Sequence, residues 1–251
     1  MVIGLDIGAS KIAGIIFDGK KAVKDLTIVT PKNLSGFKYS LLKLVKFLSL
    51  NAKINAIGVG LAGMADNQGR VIYSPNMKFL VGFNLLKLLK SLGTKKAVIE
   101  NDANCFALAE ARIGQGRKLK NFIGITLGTG IGGGLISNGK LYRGIRGSAG
   151  EVGHMMANKH QDYEKSFQKL RNSKNYPEIG KLLGRMFADV YNLLDIEAVI
   201  LGGSVAKSSN KFLSYAVREA RKKILNKQIN PKILVSKLKH AGALGAALLV
   251  K

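Results

Sequence analysis

One pattern occurs twice in this sequence, and it limits the architecture more than any other feature. Val2–Ile7 is a short apolar run, Asp6–Lys11 follows with a glycine, and Lys11–Phe17 is apolar again. Asp18-Gly19, the dipeptide favoured in tight hairpins, then leads into a third expected strand, Ala22–Val29. The order repeats from Phe122–Leu127 through the glycine run Gly128–Gly134 and Leu135–Ser137 to a second hairpin dipeptide, Asn138-Gly139. Between and after these copies lie helical periodicities and buried-strand runs. A helix is expected over Phe37–Leu50 with Ser35 as its cap, and a strand over Ala56–Gly63. Further on, helices are expected over Glu178–Leu194, Lys211–Asn226 and Ala243–Val250, and strands over Ala198–Leu201 and Ile233–Val235. The reading is a duplicated α/β protein: an N-terminal lobe over 1–107 and a C-terminal lobe over 108–251, with the last helix, 243–250, free to pack back on the first lobe.

Composition narrows the function classes. Apolar residues are 47% and charged residues 22% of the 251, values of an ordinary globular chain rather than a disordered one. The single cysteine, Cys105, can form neither an internal disulfide nor a multi-thiolate site, which points to a reducing compartment. No run of about 18 apolar residues occurs, so no membrane span is expected, and the opening residues lack the pattern of a secretion signal. A cytoplasmic location is the expectation. The net charge of +25 would attract polyanions, yet the lysines are spread over the whole chain, as in Phe37–Lys53, Leu85–Lys96 and Arg218–Lys239, rather than gathered in one tail or one recognition helix. No specific nucleic-acid partner is therefore expected, and no DNA-binding helices open the chain.

Two loops carry candidate chemistry. Gly128-Thr129-Gly130-Ile131-Gly132-Gly133 matches the spacing of a dinucleotide motif, but a helix must start at the last glycine for that use, and here a strand continues. Such a loop can present backbone amides and the Thr129 hydroxyl to phosphate, or be an ordinary hairpin bulge. Asp6-Ile7-Gly8-Ala9-Ser10-Lys11 combines a carboxylate, a hydroxyl and a lysine suited to Mg²⁺-phosphate chemistry. Alternatively, Asp6 merely ends a strand and Lys11 faces solvent. Two such loops opening two similar units favour a shared phosphate site.

Five motifs in order, Asp6–Lys11, Glu100-Asn101-Asp102-Ala103-Asn104, Gly128–Gly134, Gly150-Glu151-Val152-Gly153-His154 and Leu201-Gly202-Gly203, resemble those of the ROK family of sugar kinases and sugar-responsive repressors. The resemblance implies a two-lobed actin-like ATPase fold of the ribonuclease H-like class, binding sugar and nucleotide in the interlobe cleft. It implies ATP-dependent phosphorylation of a hexose or amino-hexose hydroxyl, as in a glucokinase, with Asp102 as the base. Asn76, Gly82, Asn101, Glu151 and His154 are then the sugar ligands. Asp6, Gly8, Ser10, Lys11, Gly128, Thr129, Gly130, Gly202 and Gly203 are the nucleotide and phosphate contacts, Asp6 also holding Mg²⁺. The first lobe would be the sugar and phosphate side, the second the nucleotide side. A homodimer is compatible with the family.

Two departures stand out. The family's zinc cysteines are missing after His154, and His154 with distant His160 cannot complete a four-ligand site, so no zinc is expected. The family's later sugar-binding glutamate is also not evident, Gln168 being the nearest equivalent by position. The remaining alternatives are a non-catalytic sugar-binding regulator and a polyphosphate-dependent sugar kinase. Asp102 has a structural reading of its own, as the cap of the Ala-rich helix that follows.

Overall fold

The computed structural model describes residues 1–50 and 53–250. Lys251, the last residue of the expected second lobe, lies outside the described residues. The chain divides into two compact units, Met1–Ala109 together with Leu238–Lys251, and Glu110–Lys237.

The first unit opens with strands β1 (Val2–Ile7), β2 (Lys11–Phe17) and β3 (Ala22–Val29), the bounds expected from their apolar runs. Asp18 forms the hairpin turn between β2 and β3, its Oδ1 accepting from the N–H groups of Lys20 and Lys21. Helix α1 (Leu34–Ser49) follows, and its cap is Asn33 rather than Ser35: Asn33 Oδ1 accepts from Gly36 N at 2.8 Å. The helix starts earlier than expected because Leu34 already extends the apolar face. That face buries Phe37, Leu41, Leu44, Val45 and Leu48, each stabilising the fold by about 2 kcal/mol.

Strand β4 (Ala56–Leu61) stops two residues short of its expected end, because the chain turns at Gly63 into the small hairpin of β5 (Met64–Ala65) and β6 (Val71–Tyr73). Helix α2 (Leu85–Lys90), strand β7 (Lys96–Asn101) and helix α3 (Asp102–Ile113) complete this stretch. The sheet has the order β3-β2-β1-β4-β7, antiparallel through β1 and parallel from β1 to β7.

The second unit repeats the plan. Strands β8 (Phe122–Leu127), β9 (Ile131–Ser137) and β10 (Lys140–Tyr142) form the antiparallel part. The glycine run is therefore shorter as a loop than expected, since only Gly128–Gly130 lies between strands. Gly132, Gly133 and Gly134 pair with Thr126, Ile125 and Gly124 of β8. Asn138 and Gly139 both adopt positive φ, 50° and 74°, as the two-residue hairpin demands. Helices α4 (Tyr163–Asn172) and α5 (Tyr176–Leu194), strand β11 (Ala198–Gly202), helix α6 (Leu213–Lys223) and strand β12 (Ile233–Val235) follow. The expected helix over 211–226 is split: a 3₁₀ stretch over Val205–Lys211 precedes α6, which ends at Lys223. This sheet, β10-β9-β8-β11-β12, has the same mixed order as the first.

Each unit owns a core. Phe122, Phe167, Phe187 and Phe212 lie buried in the second, Phe37 and the aliphatic side chains of β1 and β4 in the first. Helix α7 (Ala241–Leu248) belongs to the first unit and packs on β1 and β4. Its Ala- and Gly-rich sequence lets its backbone approach those strands closely.

Candidate active site

In the first unit, parallel strands β1, β4 and β7 end in register, Asp6 opposite Gly60 and Gly60 opposite Glu100. This carboxyl edge is where open α/β sheets bind ligands. Asp6 lies there, and the first turn of α7 presses on it: a β-carbon at Gly242 would come within 2.5 Å of Asp6 Oδ2. Burial pushes the Asp6 carboxyl up to about 6, against the pull of the Lys11 ammonium. The adjoining loop is strapped by the end of β3. Thr30 Oγ1 donates to Gly8 O at 2.6 Å, Thr30 N donates to Ser10 O at 3.2 Å, and Gly8 N donates to Lys11 O at 3.0 Å. Lys32 Nζ donates to Ala9 O at 3.3 Å, which brings a second ammonium beside the loop that carries Ser10 and Lys11.

Asp102 begins α3, one residue beyond the end of β7. The capping role considered for it is filled by Asn101, whose Oδ1 accepts from Ala103 N at 2.9 Å and Asn104 N at 3.2 Å. Asp102 Oδ1 shares only the first of these, also at 2.9 Å. Glu100 braces the turn, its Oε1 accepting from Asn101 N at 2.8 Å and from Asn104 Nδ2 at 3.0 Å. Asn101 thus has its oxygen committed to the helix, with its Nδ2 directed at Gly63 O, 3.5 Å away. Of the expected loop ligands, Asn76 is exposed, whereas the Gly82 N–H already donates to Val71 O at 2.8 Å. That leaves Gly82 only its carbonyl, which accepts from Arg70 Nη1 at 2.9 Å.

In the second unit the turn Gly128–Gly130 is held by α4. Arg171 Nη1 donates to Gly128 O at 2.6 Å and Gln168 Nε2 to Thr129 O at 3.2 Å. Glu164 Oε2 accepts from Ile131 N at 2.8 Å. A β-carbon at residue 130 would sit 2.1 Å from that same oxygen, so any larger residue there would push the Glu164 carboxylate off Ile131 N. Gly202 ends β11 beside Thr126, and Gly203 turns away with φ of 86°.

Glu151 precedes a 3₁₀ turn over Val152–His154. Burial raises its carboxyl above the usual range, His154 opposes the shift, and the negative charge of Glu164 adds to it. Glu151 and Glu164 therefore sense one another. Glu164 is the residue that sequence reasoning missed: Gln168 lies one helical turn further on and braces the loop instead, its Nε2 at 3.5 Å from Glu164 Oε1. The signal was present in Asp162-Tyr163-Glu164, a cap followed by an acid in the first turn, and Asp162 Oδ1 does accept from Lys165 N at 2.7 Å. His154 is half exposed, its Nδ1 3.9 Å from Asp162 Oδ2. Among the described residues no group of three or more His, Cys, Asp and Glu side chains is placed to hold a metal.

The ROK family model matches residues 2–169 and 164–251. The chain is 38% identical over 157 residues to an N-acetylgalactosamine kinase of Shewanella sp. (strain ANA-3), covering 61% of this chain and 51% of that protein. It thus spans about half the length of that curated relative. Its fold is similar to a ROK family glucokinase from Streptomyces griseus solved with glucose and AMPPNP, with a TM-score of 0.86, 26% identity and coverage of 99% and 98% of the two chains. It is similar also to an inorganic polyphosphate/ATP-glucomannokinase from Arthrobacter sp. strain KM, with a TM-score of 0.80, 29% identity and coverage of 99% and 97%. These likenesses give the two-lobed actin-like ATPase fold.

Proposed function

The chain belongs to the ROK family, and from that premise we propose that it is a sugar kinase, passing the terminal phosphoryl group of ATP to a hydroxyl of a hexose or amino-hexose. The observation that carries this reading is the start of α3: Asn101 supplies the helix cap, so capping does not account for a carboxylate at the next position, and Asp102 stands at the carboxyl edge of the sheet, where ligands bind. Asp102 takes the proton of the attacking hydroxyl as the new O–P bond forms and the bond to the β-phosphate oxygen breaks, releasing ADP. A positioned carboxylate in this role contributes roughly 10²–10⁴-fold.

The other groups hold and neutralise. Lys11 neutralises phosphate charge, and Ser10, Thr129 and the glycine-turn amides donate to phosphate oxygens, Gly8 N and Gly128 N excepted because they close their own turns on Lys11 O and Gly130 O. Asp6 suits nucleotide-bound Mg²⁺, because that ion commonly takes one or two carboxylates with the rest of its shell from water and phosphate. When bound, the ion supplies neutralisation of charge between the β- and γ-phosphates. Asn76, Asn101, Glu151, His154 and Glu164 orient the sugar, Glu164 supplying the acceptor for which Gln168 was only the nearest equivalent by position. With that carboxylate as an oriented acceptor, only an epimer whose hydroxyl reaches it gains the bond, so selectivity among hexoses is expected.

Purified protein with ATP, Mg²⁺ and a panel of hexoses and N-acetylhexosamines tests the reading. Formation of a sugar phosphate is expected, and binding of a sugar without turnover would instead indicate a sugar-responsive regulator. A second donor, inorganic polyphosphate, is favoured by the pair of ammoniums at Lys11 and Lys32 around one phosphate loop. The likeness to a polyphosphate/ATP-glucomannokinase supports it as well. Assay with nucleotide removed decides that point.

A further inference from the structure

Outside the active site, the first unit holds a cavity of about 460 Å³ between α1, the start of β4 and the loop before β7. This is within the usual range for small-molecule sites. Its floor is aliphatic, formed by Leu42, Val45, Ile54 and Leu92. Lys43 and Lys46 stand at its rim, with Lys43 Nζ held 4.8 Å above the Tyr39 ring.

No carboxylate is among the described residues that line it. The stretch 26–99, which supplies every wall, contains ten lysines and a single acidic residue, Asp66. Asp66 is occupied in its own turn, its Oδ1 accepting from Gln68 N and Arg70 N. Among the acids of packed neighbours, Asp25 on β3 is engaged by Lys239 and His240, and Glu100 lies at the far end of β7. Ammoniums at the mouth of a mainly apolar pocket, with no carboxylate among its described lining residues, match a ligand that has one apolar tail and one anionic head.

We propose that this cavity binds a fatty-acid anion, its alkyl chain on the aliphatic floor and its carboxylate between Lys43 and Lys46. The site lies at the amino ends of β4 and β7, roughly 15–20 Å along six-residue strands from the edge that carries Asp6 and Asp102, so it is separate from sugar and nucleotide. The aliphatic floor supplies affinity through burial of the chain, and the lysines, whose stems lie along the rim, choose the anionic head. The inference does not depend on the kinase reading.

Isothermal titration with dodecanoate below its micelle concentration should show saturable binding at one site per chain. Dodecanol, and dodecanoate with the Lys43→Glu/Lys46→Glu protein, should each bind about tenfold more weakly or worse. Leu42→Trp, which fills the floor, should abolish binding while the melting temperature of the folded protein is retained. If Leu42→Trp fails to fold, the surface double variant and the dodecanol comparison still decide. Absence of dodecanoate binding, equal binding of dodecanol, or equal binding by the charge-reversed variant would each overturn the proposal. So would binding to vesicles of anionic phospholipid without binding of monomeric dodecanoate, which would mark a membrane-facing surface. Concentration-dependent self-association abolished by Leu42→Trp, with no dodecanoate bound, would assign the groove to a second copy of the chain and equally overturn it.

Discussion

Asp6→Asn should stabilise the protein at neutral pH, and the amount follows from the environment of that carboxyl. Burial lifts Asp6 from an ordinary 3.8 to about 6, so the folded state holds its proton more tightly than the unfolded chain does. The stability associated with this group is full below pH 3.8, falls as pH rises toward 6, and is level above that, because in this window the folded state binds more protons. The window is about two pH units wide, which corresponds to about 3 kcal/mol of stability lost by wild type between pH 4 and pH 7 through this one residue. Asparagine is neutral throughout and resembles the protonated form. Urea unfolding of wild type and Asp6→Asn at half-unit steps from pH 4 to pH 8 gives the difference curve. Any packing offset is the same at every pH and drops out. The variant should gain on wild type by about 3 kcal/mol across the window, with the rise centred near pH 5. A flat difference curve, or one in which wild type gains with pH, would refute the buried-carboxylate argument. The same variant should lose most of the proposed kinase activity, since a desolvated carboxylate that destabilises the free protein is a strong attractor for a phosphate-bound cation.

Two further substitutions follow from the site. Asn101→Ala removes the cap of α3 and should lower stability by about 1 kcal/mol in thermal or urea unfolding. Glu164→Gln removes the negative neighbour of Glu151 and weakens the brace on Ile131 N. Titration of Glu151 followed by carboxyl NMR should therefore move to lower pH, and the KM for sugar should rise more than kcat falls.

The strands of both units were legible because local signals and tertiary demand agreed. In β1, β2 and β8, apolar runs stop where Gly8, Asp18-Gly19 and Gly128 can take the turn, and the structure uses those places. Less legible were choices made between near-equivalent residues or by distant chain. Asn33 and Ser35 are both good caps, and the apolar reach of Leu34 selects the first. Gly132–Gly134 read as loop because glycine is a poor strand former, yet pairing with β8 holds all three extended. Helix α7 joins the first unit through contacts with strands more than 180 residues earlier, a relation no local window contains. The same cause hid Glu164, whose place beside the glycine turn depends on a bond across 33 positions. The five motifs, by contrast, pointed directly to the two glycine turns and to Asp102 as candidates, while the burial of Asp6 under α7 required the fold.

The central claim is that Asp102 is the base, and Asp102→Asn tests it most directly. Because Asn101 carries the cap and asparagine keeps the size of the side chain, the melting temperature should be unchanged. Single-turnover phosphorylation of the preferred sugar should slow by about 10²-fold or more, with sugar affinity changed far less, because the amide can still hydrogen-bond the hydroxyl before reaction. A folded Asp102→Asn protein that turns over at a near wild-type rate, measured where chemistry limits, would contradict the account.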